Sequence, residues 1–214
     1  MKAKKISILL ADDHLLARQG CRSILEKVPD MNIVGEAQDG DEVKHLVSKL
    51  KPQILLLDLK MPKLSPATLE EWVRINYPET ATLILTGHDR DFYLSTMMDA
   101  GVAGYFDKKI RAGQLVSAIR RAARGEILFD KEQIERAHRW REETGNRWGS
   151  LSEREREVLQ ILTEGADNHV IAASLDITIN TVEKHLTNIY KKIGVASRTG
   201  AALWWLEEGG DFRN

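Results

Sequence analysis

One stretch limits what this chain can fold into: Ile54, Leu55, Leu56, Leu57, Asp58, Leu59, Lys60, Met61, Pro62. Four consecutive apolar residues predict a strand covered on both faces, as in a parallel sheet. A carboxylate stands where that strand should stop, and Pro62, lacking an N–H, prevents the ladder from continuing. Open α/β sheets bind their ligands outside the carboxyl ends of the strands. Asp58 therefore falls on the rim where chemistry is done. Taken alone, an Asp in that place most often only caps a turn.

The surrounding sequence supplies the rest of such a sheet. Ile6–Leu10, Ile33–Ala37, Thr82–Thr86 and Val102–Phe106 read as further strands. Between them lie helical spacings: Leu15, Leu16, Ile24, Leu25 and Val28; Val43, Leu46, Val47 and Leu50; Leu69, Trp72, Val73 and Ile75; Phe92, Leu94, Met97 and Met98. Leu115, Val116, Ile119, Ala122 and Ala123 close the series before Gly125. Asp39-Gly40 reads as a turn, and Pro66 suits the first turn of a helix. Strictly alternating strands and helices imply a doubly wound parallel sheet. No Gly-rich phosphate loop follows the first strand, which disfavours a dinucleotide or P-loop site.

Instead, the strand ends carry polar groups: Asp12 and Asp13 after the first, Asp58 after the third, Thr86 at the fourth, Lys108 after the fifth. Each is unremarkable alone, but on one sheet they converge on one crevice. Clustered carboxylates raise one another's pKa unless a cation joins them. Mg²⁺ suits such a set, since it takes few carboxylates and keeps several waters. A phosphoryl group on Asp58 would be bridged by the metal, paired by Lys108 and hydrogen-bonded by Thr86.

These pieces, "ADDH" (11–14), "LLLDLKMP" (55–62), "LILTG" (83–87) and "GYFDKK" (104–109), resemble the receiver domain of bacterial two-component response regulators. The resemblance covers residues 1–125 and implies a flavodoxin-like fold. It makes Asp58 the phosphoacceptor for a sensor histidine kinase. It implies Mg²⁺ held by Asp13, Asp58 and the backbone carbonyl of Lys60, with Asp12 acting through water. Thr86 and Tyr105 would form a coupled switch with Lys108, Tyr105 turning inward as Thr86 moves toward the phosphoryl group. Ser65-Pro66 and Lys109 depart from the usual pattern without removing a reacting group.

Residues 126–149 change character. A short polar helix is expected there, then a flexible stretch, "TGNRWGS" (144–150), with Trp140 and Trp148 free to pack on either half. Residues 150–214 read as four helices. A Ser152–Glu155 capping box opens the first, Asp167 and Thr178 cap the next two, and Ser197–Leu206 forms the fourth. In the third, Val182, Leu186, Ile189 and Ile193 make one narrow stripe, while Asn180, Lys184, Thr187, Asn188 and Lys191 lie opposite. A turn followed by such a helix fits a helix-turn-helix reader. A solvated face is the commoner cause of that pattern, and from Ser150 onward the net charge is −3, whereas DNA readers are usually basic. Residues 151–199 nevertheless resemble the LuxR-type DNA-binding domain almost throughout. The resemblance implies contacts to DNA from Thr181, Glu183, Lys184, Thr187, Asn188 and Lys191, with His185 nearby, and a dimer mediated by the fourth helix, whose Trp204 and Trp205 fit either that interface or the domain core. His169-Val170 departs from the family's usual Lys-Glu.

The single cysteine, Cys21, excludes an internal disulfide or Cys-based zinc site. No apolar run reaches the ~20 residues of a membrane span, and Ile6–Leu10 is too short for a signal segment, so the expected location is cytoplasmic. The whole reads as α/β plus all-α: a phosphorylation-controlled regulator that binds DNA as a homodimer, not an enzyme. An Asp-nucleophile hydrolase would need a second Asp where Lys60 stands. A regulator independent of phosphorylation is the remaining alternative.

Overall fold

The computed structural model describes residues 5–208; Met1 to Lys4 and residues 209–214, with Asp211 and Arg213 of the charge count, lie outside the described residues. The chain forms two compact units, one running through Ala137 and the other beginning at His138.

The first unit holds strands β1 (Ile6–Ala11), β2 (Met31–Ala37), β3 (Ile54–Leu57), β4 (Ala81–Thr86) and β5 (Gly104–Asp107). Between and after them run helices α1 (Leu15–Leu25), α2 (Gly40–Leu50), α3 (Pro66–Asn76), α4 (Asp91–Ala100) and α5 (Ala112–Ala122). The strands are all parallel, in the order β2-β1-β3-β4-β5. Every residue of β3 is buried, which is why its sequence is uninterrupted apolar rather than alternating. On one face Ile8, Leu10, Ile54, Leu56, Leu83 and Leu85 pack with Leu25 of α1 and Leu115 and Ile119 of α5. The next residues along, Leu9, Leu55, Leu57 and Ile84, are buried too, as are Val43 and Val47 of α2, Leu69 and Val73 of α3, and Leu94 and Met97 of α4. Cys21 packs at the edge of the first cluster, and burial pushes its thiol pKa up.

Several local expectations shift. Asp39 is the N-cap of α2, accepting from Glu42 N at 2.8 Å, so Asp39-Gly40 starts a helix rather than making a free turn. Gly40 is required by contact: a Cβ there would lie 2.3 Å from the Lys63 carbonyl oxygen. Pro66 occupies the first turn of α3, behind Ser65. Leu15 and Leu16, expected inward, are 55% and 83% exposed; they sit in the first turn of α1, beyond the sheet rim.

The segment that follows α5 is ordered through residue 150. Leu128 is buried, bridges to Gly104 and donates its N–H to Ala103 O at 2.7 Å, extending the sheet beside β5. Helix α6 (Lys131–Trp140) follows. A π-helical turn (Arg141–Gly145) and helix α7 (Asn146–Ser150) replace the flexible stretch expected over residues 144–150. Aromatic packing overrides its Gly and polar content: the Trp148 ring lies 4.9 Å from Trp205 and 5.4 Å from Trp204.

The second unit continues with α8 (Glu153–Thr163), α9 (Asn168–Ser174), α10 (Ile179–Ile193) and α11 (Arg198–Glu207). Ser152 and Glu155 close the capping box of α8. Asp167 caps α9, Thr178 caps α10 and Ser197 caps α11. Gly194 ends α10 at φ 75°, a left-handed position that favours glycine. Val182, Leu186, Ile189 and Ile193 face a core with Val158, Leu159, Leu162 and Ile171. Trp204 and Trp205 are buried in that same core, the second of the two places their sequence allowed. Among the described residues no helix is long and apolar enough to cross a membrane.

Glu70 on α3 is buried, with one carboxylate oxygen lacking a hydrogen-bond partner. Burial lifts its pKa to about 7, against the pull of Thr82 and Arg74. A raised carboxyl pKa favours the folded state fully below the unfolded value, and this contribution is lost as pH rises through the folded value. Stability of the first unit should therefore fall between about pH 5 and pH 7. Glu70→Gln should remove that slope, at most about 3 kcal/mol. Urea denaturation at the two pH values checks this; an unchanged slope in the variant contradicts it.

Candidate functional site

The strand order reverses between β1 and β3, and a ligand crevice opens at such a point. The Asp58 N–H donates to Ala11 O at 2.8 Å, continuing the ladder one residue past β3, so the side chain is delivered to the rim. Asp58 Oδ1 accepts from Leu59 N at 2.8 Å. Asp12 is buried beside it, its Oδ1 accepting from His14 N at 2.9 Å. Asp13 is the exposed member.

Lys108 joins the two buried acids. Its Nζ lies 2.8 Å from Asp12 Oδ2 and 2.8 Å from Asp58 Oδ2. Burial alone would lower the lysine pKa, but the hydrogen bonds to Asp12 and Asp58 outweigh it and the ammonium is held charged. The Lys108 N–H also donates to Thr86 O at 2.9 Å, which fixes the lysine to the end of β4. Thr86 is fully buried, and its hydroxyl oxygen accepts from His88 N at 3.2 Å. The structure thus brings Asp12, Asp13, Asp58 and Lys108 into one site, with Thr86 one strand away.

Two participants were not assigned from sequence. His14 Nδ1 is 2.7 Å from Asp13 Oδ1 and 3.4 Å from Asp12 Oδ1. Donor atoms of Asp12, Asp13, His14 and Asp58 all lie within 4.8 Å of one another, close enough to share one ion. The only sequence signal for His14 was its place in "ADDH". Arg18, buried under the site, donates to Asp12 O at 2.6 Å and to Glu36 at 2.8 Å. Its position in α1 gave no sign of this. The carboxylate oxygens are hard donors that fit a magnesium-type cation. Lys60 is half buried in the loop leaving β3.

Tyr105 is not the surface aromatic that its strand position allowed. It is buried, and its hydroxyl donates to His88 O at 2.7 Å. Burial pushes its pKa well up. Its backbone carbonyl accepts from Gln133 Nε2 of α6 at 2.8 Å. One turn on, Arg136 grips the loop after β4 and the start of α4: 2.9 and 3.1 Å to Asp89, and 2.7 Å to Asp91. These bonds raise the Arg136 pKa, the Asp89 contact most.

In the second unit, Glu183, Lys184, Thr187, Asn188 and Lys191 are exposed on α10, and Thr181 and His185 are half buried. The Thr181 and Thr178 hydroxyls lie 2.8 Å apart at the N-cap, and Thr187 Oγ1 donates to Glu183 O at 2.9 Å. Helical spacing places Thr181, Lys184, Asn188 and Lys191 along one outward row. Such side chains suit phosphates and base edges.

The Lys108 bridge carries an energetic test. Lys108→Met leaves two buried carboxylates facing each other, and should destabilise the first unit by about 2 kcal/mol at neutral pH. Adding Asp12→Asn should recover part of that loss. Urea titration of the single and double variants measures the coupling; purely additive losses would contradict the bridge.

Residues 8–120 match the response regulator receiver domain, and residues 149–205 match the bacterial regulatory proteins of the luxR family. The transcriptional regulatory protein DegU of Brevibacillus brevis is 30% identical over 223 residues, spanning 96% of this chain and 94% of DegU. The response regulator protein VraR of Staphylococcus aureus is 32% identical over 199 residues, spanning 93% and 95%. The structure of RcsB from Salmonella enterica serovar Typhimurium, bound to promoter rprA in the presence of the phosphomimetic BeF3-, is 25% identical with a TM-score of 0.60, covering 94% of this chain and 98% of RcsB. With a receiver sheet carrying the acid–lysine crevice and a luxR-family helical unit behind it, this chain belongs to the two-component response regulators.

Proposed function

We propose that the chain is a phosphorylation-controlled transcription regulator of the cytoplasm. A sensor histidine kinase supplies the phosphoryl group, and the second unit binds DNA as a homodimer. The observation that carries this reading is the Lys108 bridge: one ammonium 2.8 Å from both Asp12 and Asp58 at the β1/β3 crevice. In the reaction an Asp58 carboxylate oxygen attacks the phosphorus as the bond to the kinase histidine breaks. The product is an acyl phosphate on Asp58.

Asp13, Asp58 and the Lys60 carbonyl would hold Mg²⁺, with Asp12 reaching it through water. When bound, that ion offsets the charge of the carboxylates and the phosphoryl oxygens. Lys108 exchanges a carboxylate partner for a phosphoryl oxygen, and Thr86 gives up its local bond to donate to another. Both contacts strengthen only in the phosphorylated state, which is how a ligand shifts an equilibrium. On α10, Lys184 and Lys191 address phosphates, while Thr181, Thr187 and Asn188 lie within reach of base edges, flanked by Glu183 and His185.

A second reading draws on Tyr105. Its ring is already inward, bonded to His88 O, while Lys108 still holds both acids. An inward tyrosine beside an unexchanged lysine is the arrangement expected of a regulator independent of phosphorylation.

One experiment separates the two readings. The full chain is treated with acetyl phosphate and Mg²⁺, then followed by intact mass, light scattering and DNA binding, with Asp58→Asn as control. The first reading expects a single added phosphoryl group, absent in the variant, together with dimerisation and tighter DNA binding. Failure to gain the group overturns it. Gain without any change in assembly or DNA affinity supports the second reading.

A further inference from the structure

The DNA face of the second unit is set in an acidic domain: from Ser150 onward the net charge is −3. Attraction to a phosphate backbone must then come from local clusters of cations. One such cluster draws on residues before the matched luxR-family segment, which begins at residue 149. An open groove of about 620 Å³ runs between α7 and the C-terminal half of α10, lined by Asn146, Arg147, Ser150, Asn188, Lys191 and Lys192. Among the described residues, no acidic and no apolar side chain lines it. Asn188 and Lys191 belong to the outward row of α10, so the groove continues that row toward the C-terminus of the helix.

Arg147 is fixed in this position by its neighbours. Trp148 is stacked on Trp204 and Trp205. Arg156 lies over the Trp148 ring at 5.9 Å and donates to Trp148 O at 3.3 Å. Ser150 Oγ donates to Arg147 O at 2.7 Å. These contacts hold the backbone of α7 and leave the Arg147 side chain exposed. Its guanidinium carbon comes within 3.9 Å of the place a Cβ would take on Gly194, beside the end of α10. Among the described residues, neither Arg147 nor Lys191 is held in an ion pair. Lys192 is paired to the buried Glu155 at 2.7 Å, which anchors the groove floor.

We propose that Arg147 and Lys191 form a phosphate clamp through which the segment preceding the luxR-family domain grips the DNA backbone beside α10, with Ser150 lining the groove and holding Arg147 O. The clamp rests on the DNA-binding reading above and adds residues to it. It positions rather than specifies, because a guanidinium on a phosphate carries no base information. The rival role for Arg147 is purely structural: a cation beside the C-terminus of α10 favours the helix dipole.

The test uses the full chain and two duplexes, one selected by the wild type from randomised sequence and one with its bases scrambled, titrated by fluorescence anisotropy over a range of salt. Arg147→Ala should reduce the slope of log affinity against log salt by about one, a loss of about eightfold at about 0.1 M salt. The loss should be the same on both duplexes, and Arg147→Lys should restore the slope. Ser150→Glu, which puts an anion in the groove without touching the tryptophans, should weaken both duplexes likewise. A lower melting temperature for Arg147→Ala with an unchanged slope, and no effect of Ser150→Glu, would overturn the clamp in favour of the dipole role. If the wild type selects no duplex, the DNA-binding reading fails and the clamp fails with it.

Discussion

The receiver unit depends on one ion pair network: a lysine after β5 that must reach carboxylates after β1 and β3. The strand order β2-β1-β3-β4-β5 allows it. With β1 and β3 adjacent, Asp12 and Asp58 share one crevice. Two buried carboxylates so placed would repel each other. The Lys108 ammonium removes that penalty, and the backbone bond from Lys108 to Thr86 ties it to the strand between β3 and β5. The fold and the chemistry thus share a requirement. Parallel strands ending together place charges together, and the cation that makes them tolerable is the one the proposed function offers to a phosphoryl group.

That requirement extends to the loop after β4. Thr86 accepts from His88, and the His88 carbonyl accepts from Tyr105. The Tyr105 carbonyl in turn receives Gln133, and Arg136 holds Asp89 on the same loop and Asp91 at the start of α4. Any outward turn of the tyrosine ring must break its bond to His88, and any shift of the loop must strain three bonds to Arg136. The start of α6 is therefore part of the receiver's hydrogen-bonded structure, although by composition it looked like a charged, solvated linker.

Much of this was readable from residues. Uninterrupted apolar runs marked the strands, and the rim positions of Asp12, Asp58, Thr86 and Lys108 followed from where those runs stop. The caps of α8, α9 and α10 were equally plain, because Ser152, Asp167 and Thr178 each precede an apolar stripe. What escaped was determined by tertiary contact. Leu15 and Leu16 fit the helical period but lie past the sheet that would have covered them. Gly and Asn in residues 144–150 signal a loose chain, yet Trp148 finds two tryptophans more than fifty residues later and becomes helical. Trp204 and Trp205 fit an interface or a core equally well until their neighbours are known. Arg136 carried no local signal at all, since its partners are 45 and 47 residues away.

The acidity of the second unit fits the same logic of placement. A net charge is an average, whereas DNA meets a face. Glu155 adds to the negative total but is buried and paired to Lys192, so its charge is largely spent inside the protein. Asp167 is committed to capping α9, where two backbone N–H groups hold its pKa down. Acids that cap helices or anchor lysines leave the outer row of α10 free to carry Lys184 and Lys191. The formal balance therefore understates how positive that surface is. Residues that precede the helix-turn-helix in sequence, Arg147 among them, belong to the face because three tryptophans hold them there.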